Sequence, residues 1–180
     1  MYKFSIPDSE YYDEQTERFI QVKAQTICLE HSLVSISKWE SKWKKPFVTE
    51  KEKTMEELRD YIRCMTLTQN VDPNVYKCLG MDVIQDILAY IEDPMTATTF
   101  SNNKKEAKKG EFITSELVYY WMTALNIPME CQKWHFNRLM TLIRIAGEKN
   151  QPPKKMSKNE ILSRNKALNA QRRAKLHSKG

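Results

Sequence analysis

Only four glycines, Gly80, Gly110, Gly147 and Gly180, are spread through 180 residues. That scarcity weighs against a β-sandwich or barrel, whose many tight turns draw on glycine. Apolar residues recur instead at three- and four-residue steps, the spacing that lines one side of a helix. Hydrophobic residues make up 41% of the chain, enough for a compact core. The expected fold is mainly α. A small helical domain over residues 18–150 carries a short N-terminal β-hairpin, an acidic segment (1–17) precedes it, and a basic helical arm (151–180) follows.

The hairpin is read from Arg18 to Glu30, where Ile20 and Val22 stand on one side of Lys23-Ala24-Gln25 and Ile27 and Leu29 on the other. Ser32 is placed to cap a helix whose Leu33, Ile36, Trp39 and Trp43 form its apolar side until Pro46 stops it. Lys38, Lys42 and Lys45 fall opposite, and Glu40 is spaced to pair with Lys44. Thr54 and Glu57 have capping-box spacing ahead of a stripe of Met55, Leu58, Ile62 and Met65. Asp72-Pro73 starts a short helical turn through Tyr76 that Gly80 can close. Asp82 and Gln85 repeat the cap spacing for a third helix with Ile84, Ile87, Leu88 and Ile91, ending at Asp93-Pro94.

Periodicity lapses from Met95 to Glu111, which reads as a long polar loop with lysines at 104, 105, 108 and 109. Thr114 to Asn126 is apolar almost all round, so a helix there must be buried or covered by another molecule. Asn126 and Pro128 then begin a further helix. Its Phe136, Leu139, Met140 and Ile143 line one side, Lys133, Asn137, Thr141, Arg144 and Glu148 the other, and Gly147 marks its end. Together the two helices make an αα-hairpin expected at the centre of the core.

Charge divides the chain. Lys154 to Gly180 holds nine Lys/Arg and a single acid, Glu160, in a protein of net charge +6. The remainder is close to neutral, so a body that can fold carries a cationic arm set to meet an acidic partner. Gln151-Pro152-Pro153 is a stiff break before it. The arm has helix propensity but few large apolar residues, which makes it a helix that firms up on docking. Arg164, Lys166, Arg172, Arg173 and Lys175 can contact phosphates. With no aromatic residue in the arm to stack on bases, such nucleic-acid binding would be non-specific. An acidic protein surface and a solvated tail are the other two readings. Trp39 and Trp43 are candidates both for the core and for a partner-binding hot spot. Met55, Met65, Met122, Met129 and Met140 suit core filling or an adaptable groove.

The chemistry of enzymes is hard to place on this chain. His31 beside Glu30 has no nucleophile at an elbow-like turn. Cys131 and His135 are spaced as neighbours on one helix face, and His177 belongs to the basic arm. No GxGxxG or P-loop occurs. Cys28, Cys64, Cys78 and Cys131 form no CxxC pair and have no His at ligand spacing. A non-enzymatic protein without metal or cofactor is expected. The five acids between Asp8 and Glu17 are the reverse of a signal peptide's charge pattern. No stretch approaches the roughly 20 apolar residues of a membrane span, so a soluble, unsecreted protein with no membrane partner is expected.

Several stretches carry a resemblance. They are Leu29-Glu30-His31-Ser32-Leu33-Val34-Ser35-Ile36-Ser37-Lys38-Trp39-Glu40, Asp60 to Thr68, Tyr119 to Trp134 with its Asn126-Ile127-Pro128 joint, and Pro152-Pro153-Lys154-Lys155-Met156-Ser157. Together they resemble the tail assembly chaperones encoded in the tail-gene region of long-tailed bacteriophages. The resemblance implies a non-enzymatic helical protein of the host cytoplasm. It would bind the tape measure protein, keep its apolar helices from aggregating and help tail-tube subunits polymerise around it. It also implies a longer product made by ribosomal frameshifting, and no catalytic residues. Two alternatives stand beside it: a small virion component such as a head-tail connector, and a non-specific nucleic-acid-binding protein. Self-association is compatible with each.

Overall fold

The computed structural model describes residues 1–13, 17–50, 52–100, 112–150 and 157–176, Asp13 by its backbone alone. The chain divides into two units, Met1–Lys149 and Asn150–Gly180. The Lys104–Lys109 stretch and the Pro152-Pro153 break lie outside the described residues.

The first unit begins with four strands, β1 (Tyr2–Ile6), β2 (Ser9–Asp13), β3 (Arg18–Val22) and β4 (Gln25–Leu29). Strand β2 pairs antiparallel with β3, Ser9 facing Val22, and β1 pairs antiparallel with β4, Ile6 facing Gln25. The register is continuous from one ladder to the next, so the four strands make one two-stranded ribbon interrupted midway. Pro7 explains the interruption, because it has no N–H to give the ladder. The Asp8 carboxylate fills in by accepting the Ala24 N–H at 2.7 Å. This corrects the expected hairpin. Ile20/Val22 and Ile27/Leu29 do lie on strands, but the strands run in series, and each pairs with a strand from residues 1–17. The acidic segment is therefore half of the ribbon. Its inner edge is apolar: Tyr2, Phe4 and Ile6 are partly buried and alternate with exposed residues.

Five α-helices follow among the described residues of this unit: α1 (Leu33–Trp43), α2 (Met55–Met65), α3 (Met81–Glu92), α4 (Ser115–Ala124) and α5 (Phe136–Lys149). Short 3₁₀ turns occur at Pro73–Tyr76 and Met129–Lys133. Local chemistry accounts for most starts. Ser32 caps α1 reciprocally with Ser35, and Thr54 caps α2 reciprocally with Glu57. Asp72 caps the first 3₁₀ turn ahead of Pro73, and Thr114 accepts the Leu117 N–H at the start of α4. Gly80 has a different place from the one expected. It is the N-cap residue of α3 in extended conformation, so α3 starts ahead of Asp82.

Helix α1 is the hub, packed most extensively against α2 and then α4. Leu33, Ile36 and Trp39 are fully buried together with Ile27 and Leu29 of β4 and Tyr61, Ile62 and Met65 of α2. The pairing of α4 with α5 is not the centre of the core. Nor does one helix run on from Asn126. Asn126 takes a left-handed φ of 54°, the 3₁₀ turn follows, and Trp134 is extended before α5 begins. That extended joint pairs with the residues before α1: His135 bridges Ser32, and the Phe136 N–H donates to the His31 carbonyl at 2.7 Å. Backbone pairing there outweighs continued helix. Helix α4 buries Ser115, Val118 and Met122, while Tyr120 is 66% exposed. Its all-round apolar composition therefore does not translate into all-round burial.

The second unit contains α6 (Lys158–Leu176), none of whose residues is buried. Ser157 caps it: Ser157 Oγ accepts from the Glu160 N–H and the Glu160 carboxylate from the Ser157 N–H, at 3.2 and 2.8 Å. Among the described residues no helix is long and apolar enough to cross a membrane.

Candidate partner-binding surfaces

The two candidate tryptophans have separate fates. Trp39 is fully buried, its ring edge-on to Phe47 and its Nε1–H donating to the Glu57 carbonyl at 2.9 Å. As a core residue it offers no surface to a partner, which corrects its place among the binding candidates. Trp43 is partly buried one turn further on. It stacks on Trp39 at 6.2 Å, donates from Nε1 to Asp60 Oδ2 at 2.9 Å and lies under Lys42 Nζ. The methionines do not make one groove either. Met65 and Met122 are core, whereas Met55 and Met129 are exposed.

Beside Asp60 the structure builds a charged cavity of about 650 Å³ from four elements. Glu56, Arg59, Asp60 and Arg63 come from α2 at three- and four-residue steps, so they share one helix face. Lys42 comes from α1, Tyr11 and Tyr12 from β2, and Pro73, Tyr76 and Lys77 from the 3₁₀ turn and its end. Asp60 orders two of the cations, with Lys42 Nζ at 2.8 Å and Arg63 at 2.9 Å. Burial alone would raise the Asp60 carboxyl. The bonds from Lys42 and Trp43 and the charge of Arg63 outweigh it and hold the group below its usual range. Arg59 Nε is shielded from solvent and has no hydrogen-bond partner. The sequence carried a signal for this face in the four polar positions of α2. It was eclipsed by the apolar stripe, whose first member, Met55, turns out to be exposed.

A second cavity, of about 480 Å³, is mainly apolar, lined by Phe47, Val48, Leu58, Leu88, Ile91 and Phe136, with His31 among its walls. Lys53 at its margin donates to the Phe47 and Glu50 carbonyls at 2.9 and 2.6 Å and lies over the Phe47 ring. Burial lowers the Lys53 ammonium below its usual range.

Behind this cavity lies a buried polar cluster. His31 Nδ1 shares a hydrogen bond with the Tyr61 hydroxyl, and the His31 and His135 rings meet edge to face at 5.0 Å. Burial, and then the neighbouring His135, push His31 down to about 3. Burial also lowers His135. The Tyr90 carbonyl accepts from His135 Nε2 at 3.1 Å, which leaves Nδ1 as the bare ring nitrogen, buried and unpartnered. Tyr61, wholly enclosed, is held protonated by burial. Both imidazoles are therefore neutral at pH 7. His31 sits at the β4–α1 junction as a packed residue, and Cys131 lies in the 3₁₀ turn while His135 lies in the extended joint, rather than both on one helix face.

The burial of two carboxylates escaped the sequence reading. Glu40 does not pair with Lys44 but turns inward and accepts from the backbone N–H groups of Phe47 and Ser115, at 2.8 and 2.7 Å. Glu57 takes Lys45 Nζ at 2.7 Å besides its cap bond to Thr54, and these bonds lower its pKa. Three buried or partly buried thiols need no special chemistry. Burial raises Cys64 and Cys78, keeping them protonated, and Cys131 is buried in the core. Among the described residues no group of three metal-ligating side chains converges.

Known protein-family models, curated proteins and solved structures gave no match. Function is thus argued from the surfaces themselves. On α6, Arg164, Lys166, Arg172, Arg173 and Lys175 are all exposed, and so are Ile161, Leu162, Leu168 and Leu176. The arm presents charge and apolar bulk together.

Proposed function

We propose that this protein is a non-enzymatic assembly chaperone of the kind its sequence resembles. In that role it binds the tape measure protein of a long-tailed bacteriophage in the host cytoplasm and assists polymerisation of the tail tube. The observation that carries this reading is α6, a 19-residue helix without a buried residue. Most helical stability in proteins comes from packing an apolar side. A helix that exposes Ile161, Leu162, Leu168 and Leu176 between cations gains most from a partner that supplies apolar contact and negative charge at once. A helical, acidic stretch of a long assembly substrate has that chemistry.

Co-expression with the tape measure protein tests the proposal. The expected result is a soluble complex that co-purifies; a tape measure protein whose solubility is unchanged overturns it. Recovery of the chain from purified particles at ring-like copy number would instead make it a head-tail connector or tail component. The exposed cations of α6 also favour non-specific nucleic-acid binding. That reading requires binding at low salt that falls steeply as salt is raised.

A further inference from the structure

The apolar cavity of about 480 Å³ has the make-up of a small-ligand site, six apolar side chains with a few polar groups set among them. Val48 and Leu88, each 37% exposed, stand at its rim. Two groups on its wall have hydrogen-bonding capacity left over. His31 is 3% exposed yet lines the cavity. Its Nδ1 is taken by Tyr61. Among the described residues Nε2 has no partner, and it is not shielded from solvent as His135 Nδ1 is. Tyr61 keeps its proton and donates it to Nδ1, since Ser35 Oγ lies 3.4 Å away and gives its own hydrogen to the Ser32 carbonyl at 2.7 Å. The neutral ring therefore carries its hydrogen on Nε2, a donor open to the cavity.

Lys53 is the second group. Two of the three N–H bonds of its ammonium go to the Phe47 and Glu50 carbonyls, and among the described residues it forms no ion pair with a carboxylate. Glu50 and Glu57 act on it from further off, but burial outweighs them. It is a partly desolvated cation short of negative charge. Both donors border the Phe47 ring, Lys53 Nζ at 4.3 Å and the His31 ring at 6.2 Å from its centroid. Glu92 and Asn137 complete the wall. Glu92 is exposed, so its charge is solvated, and Asn137 is fixed by donating to the Ile91 and Asp93 carbonyls at 2.9 and 2.8 Å.

We infer that this cavity binds a small aliphatic monocarboxylate, its carboxylate bonded to Lys53 and to His31 Nε2–H and its hydrocarbon body packed on Leu58, Leu88, Ile91 and Phe136. The wall selects that chemistry on two counts. One cation without an ion pair matches one negative charge, whereas a phosphate monoester brings more than one. An apolar molecule lacking an acceptor would cover Lys53 and His31 Nε2 and leave both donors unmet. The cavity is built by residues 31–137 and does not depend on α6, so it stands or falls separately from the chaperone reading.

The test is residue-resolved. Full-length protein labelled with ¹³C and ¹⁵N is titrated with octanoate and, in separate arms, with 1-octanol, octyl phosphate and a tripeptide ending in a free leucine. Octanoate is expected to move the His31 ring signals and the methyl signals of Leu58, Leu88 and Ile91 in a saturable way, and to bind about tenfold or more tighter than 1-octanol. K53Q is expected to remove that advantage while the spectrum stays dispersed. No saturable shift at these residues, or binding of 1-octanol, octyl phosphate or the tripeptide as tight as that of octanoate, overturns the inference. So does a K53Q variant that binds octanoate as well as the parent. If K53Q unfolds, L88E at the exposed rim replaces it, with weaker octanoate binding expected and unchanged binding counting against the site.

Discussion

Glu40 on α1 accepts the backbone N–H of Ser115 at 2.7 Å, a contact between positions 75 residues apart that sets the first turn of α4 against the hub helix. Its other oxygen holds the Phe47 N–H at 2.8 Å, so one buried carboxylate satisfies two amides that secondary structure leaves open. A carboxylate at a helix N-terminus also faces the positive end of the helix dipole.

Replacing Glu40 tests that relationship. E40A leaves both amides buried without an acceptor and is expected to cost about 3 kcal/mol, while E40Q keeps one acceptor and costs roughly half as much. Urea denaturation of both variants measures the difference. Equal stability of E40A and the parent would mean that α4 is not anchored there.

The histidine pair makes stability depend on pH with a defined sign. His31 is pushed down to about 3 from an ordinary 6.5, and His135 is lowered as well. The unfolded chain therefore takes up protons first as pH falls. Stability is fully present above about 6.5 and is lost below it, by about 1.4 kcal/mol per pH unit for His31 alone once well below 6.5. Glu57 and Asp60 are lowered as well, so their contributions are likewise lost as pH falls, but only below the ordinary carboxylate values of 4.5 and 3.8. The window from pH 6.5 to 5 isolates the imidazoles. Urea midpoints that stay constant across it would contradict this account.

What was legible in the chain was local. Ser32, Thr54 and Asp72 each find their partner within three residues, and a cap of that reach can be read from spacing alone. The ribbon was not legible, because Tyr2 meets Leu29 only through long-range pairing, and the acids of residues 8–17 disguise the alternation in the nearer pairing of Tyr12 with Phe19. Buried Glu40 and Glu57 were hidden for a related reason: a charged residue reads as solvated until distant backbone donors are placed around it. Both members of the candidate tryptophan pair lay on the predicted helix face. That spacing could not say that Trp39 is enclosed while Trp43 is only partly buried and bonded to Asp60.

Trp39 and Trp43 should separate in experiment as they do in space. W39A removes a fully buried ring and the bond to the Glu57 carbonyl and is expected to cost about 3–5 kcal/mol. W43A, at a partly buried site, should cost less and should also release Asp60 from one of its donors. Thermal unfolding followed by tryptophan fluorescence and circular dichroism ranks the two. A W39A protein as stable as the parent would remove Trp39 from the core.

The leucines of α6 provide the converse case. Because none of its residues is buried, replacing Ile161, Leu162 and Leu168 with Gln should change the unfolding free energy by no more than about 0.5 kcal/mol per site. If the arm holds its partner by apolar contact as well as charge, the same triple variant should lose the co-purifying partner even at low salt. Binding that survives the triple variant and disappears only when Arg172 and Arg173 are also replaced would assign the arm's attraction to charge alone. Measuring unfolding and co-purification on one preparation separates these outcomes, since a folding defect lowers both and a docking defect lowers only the second.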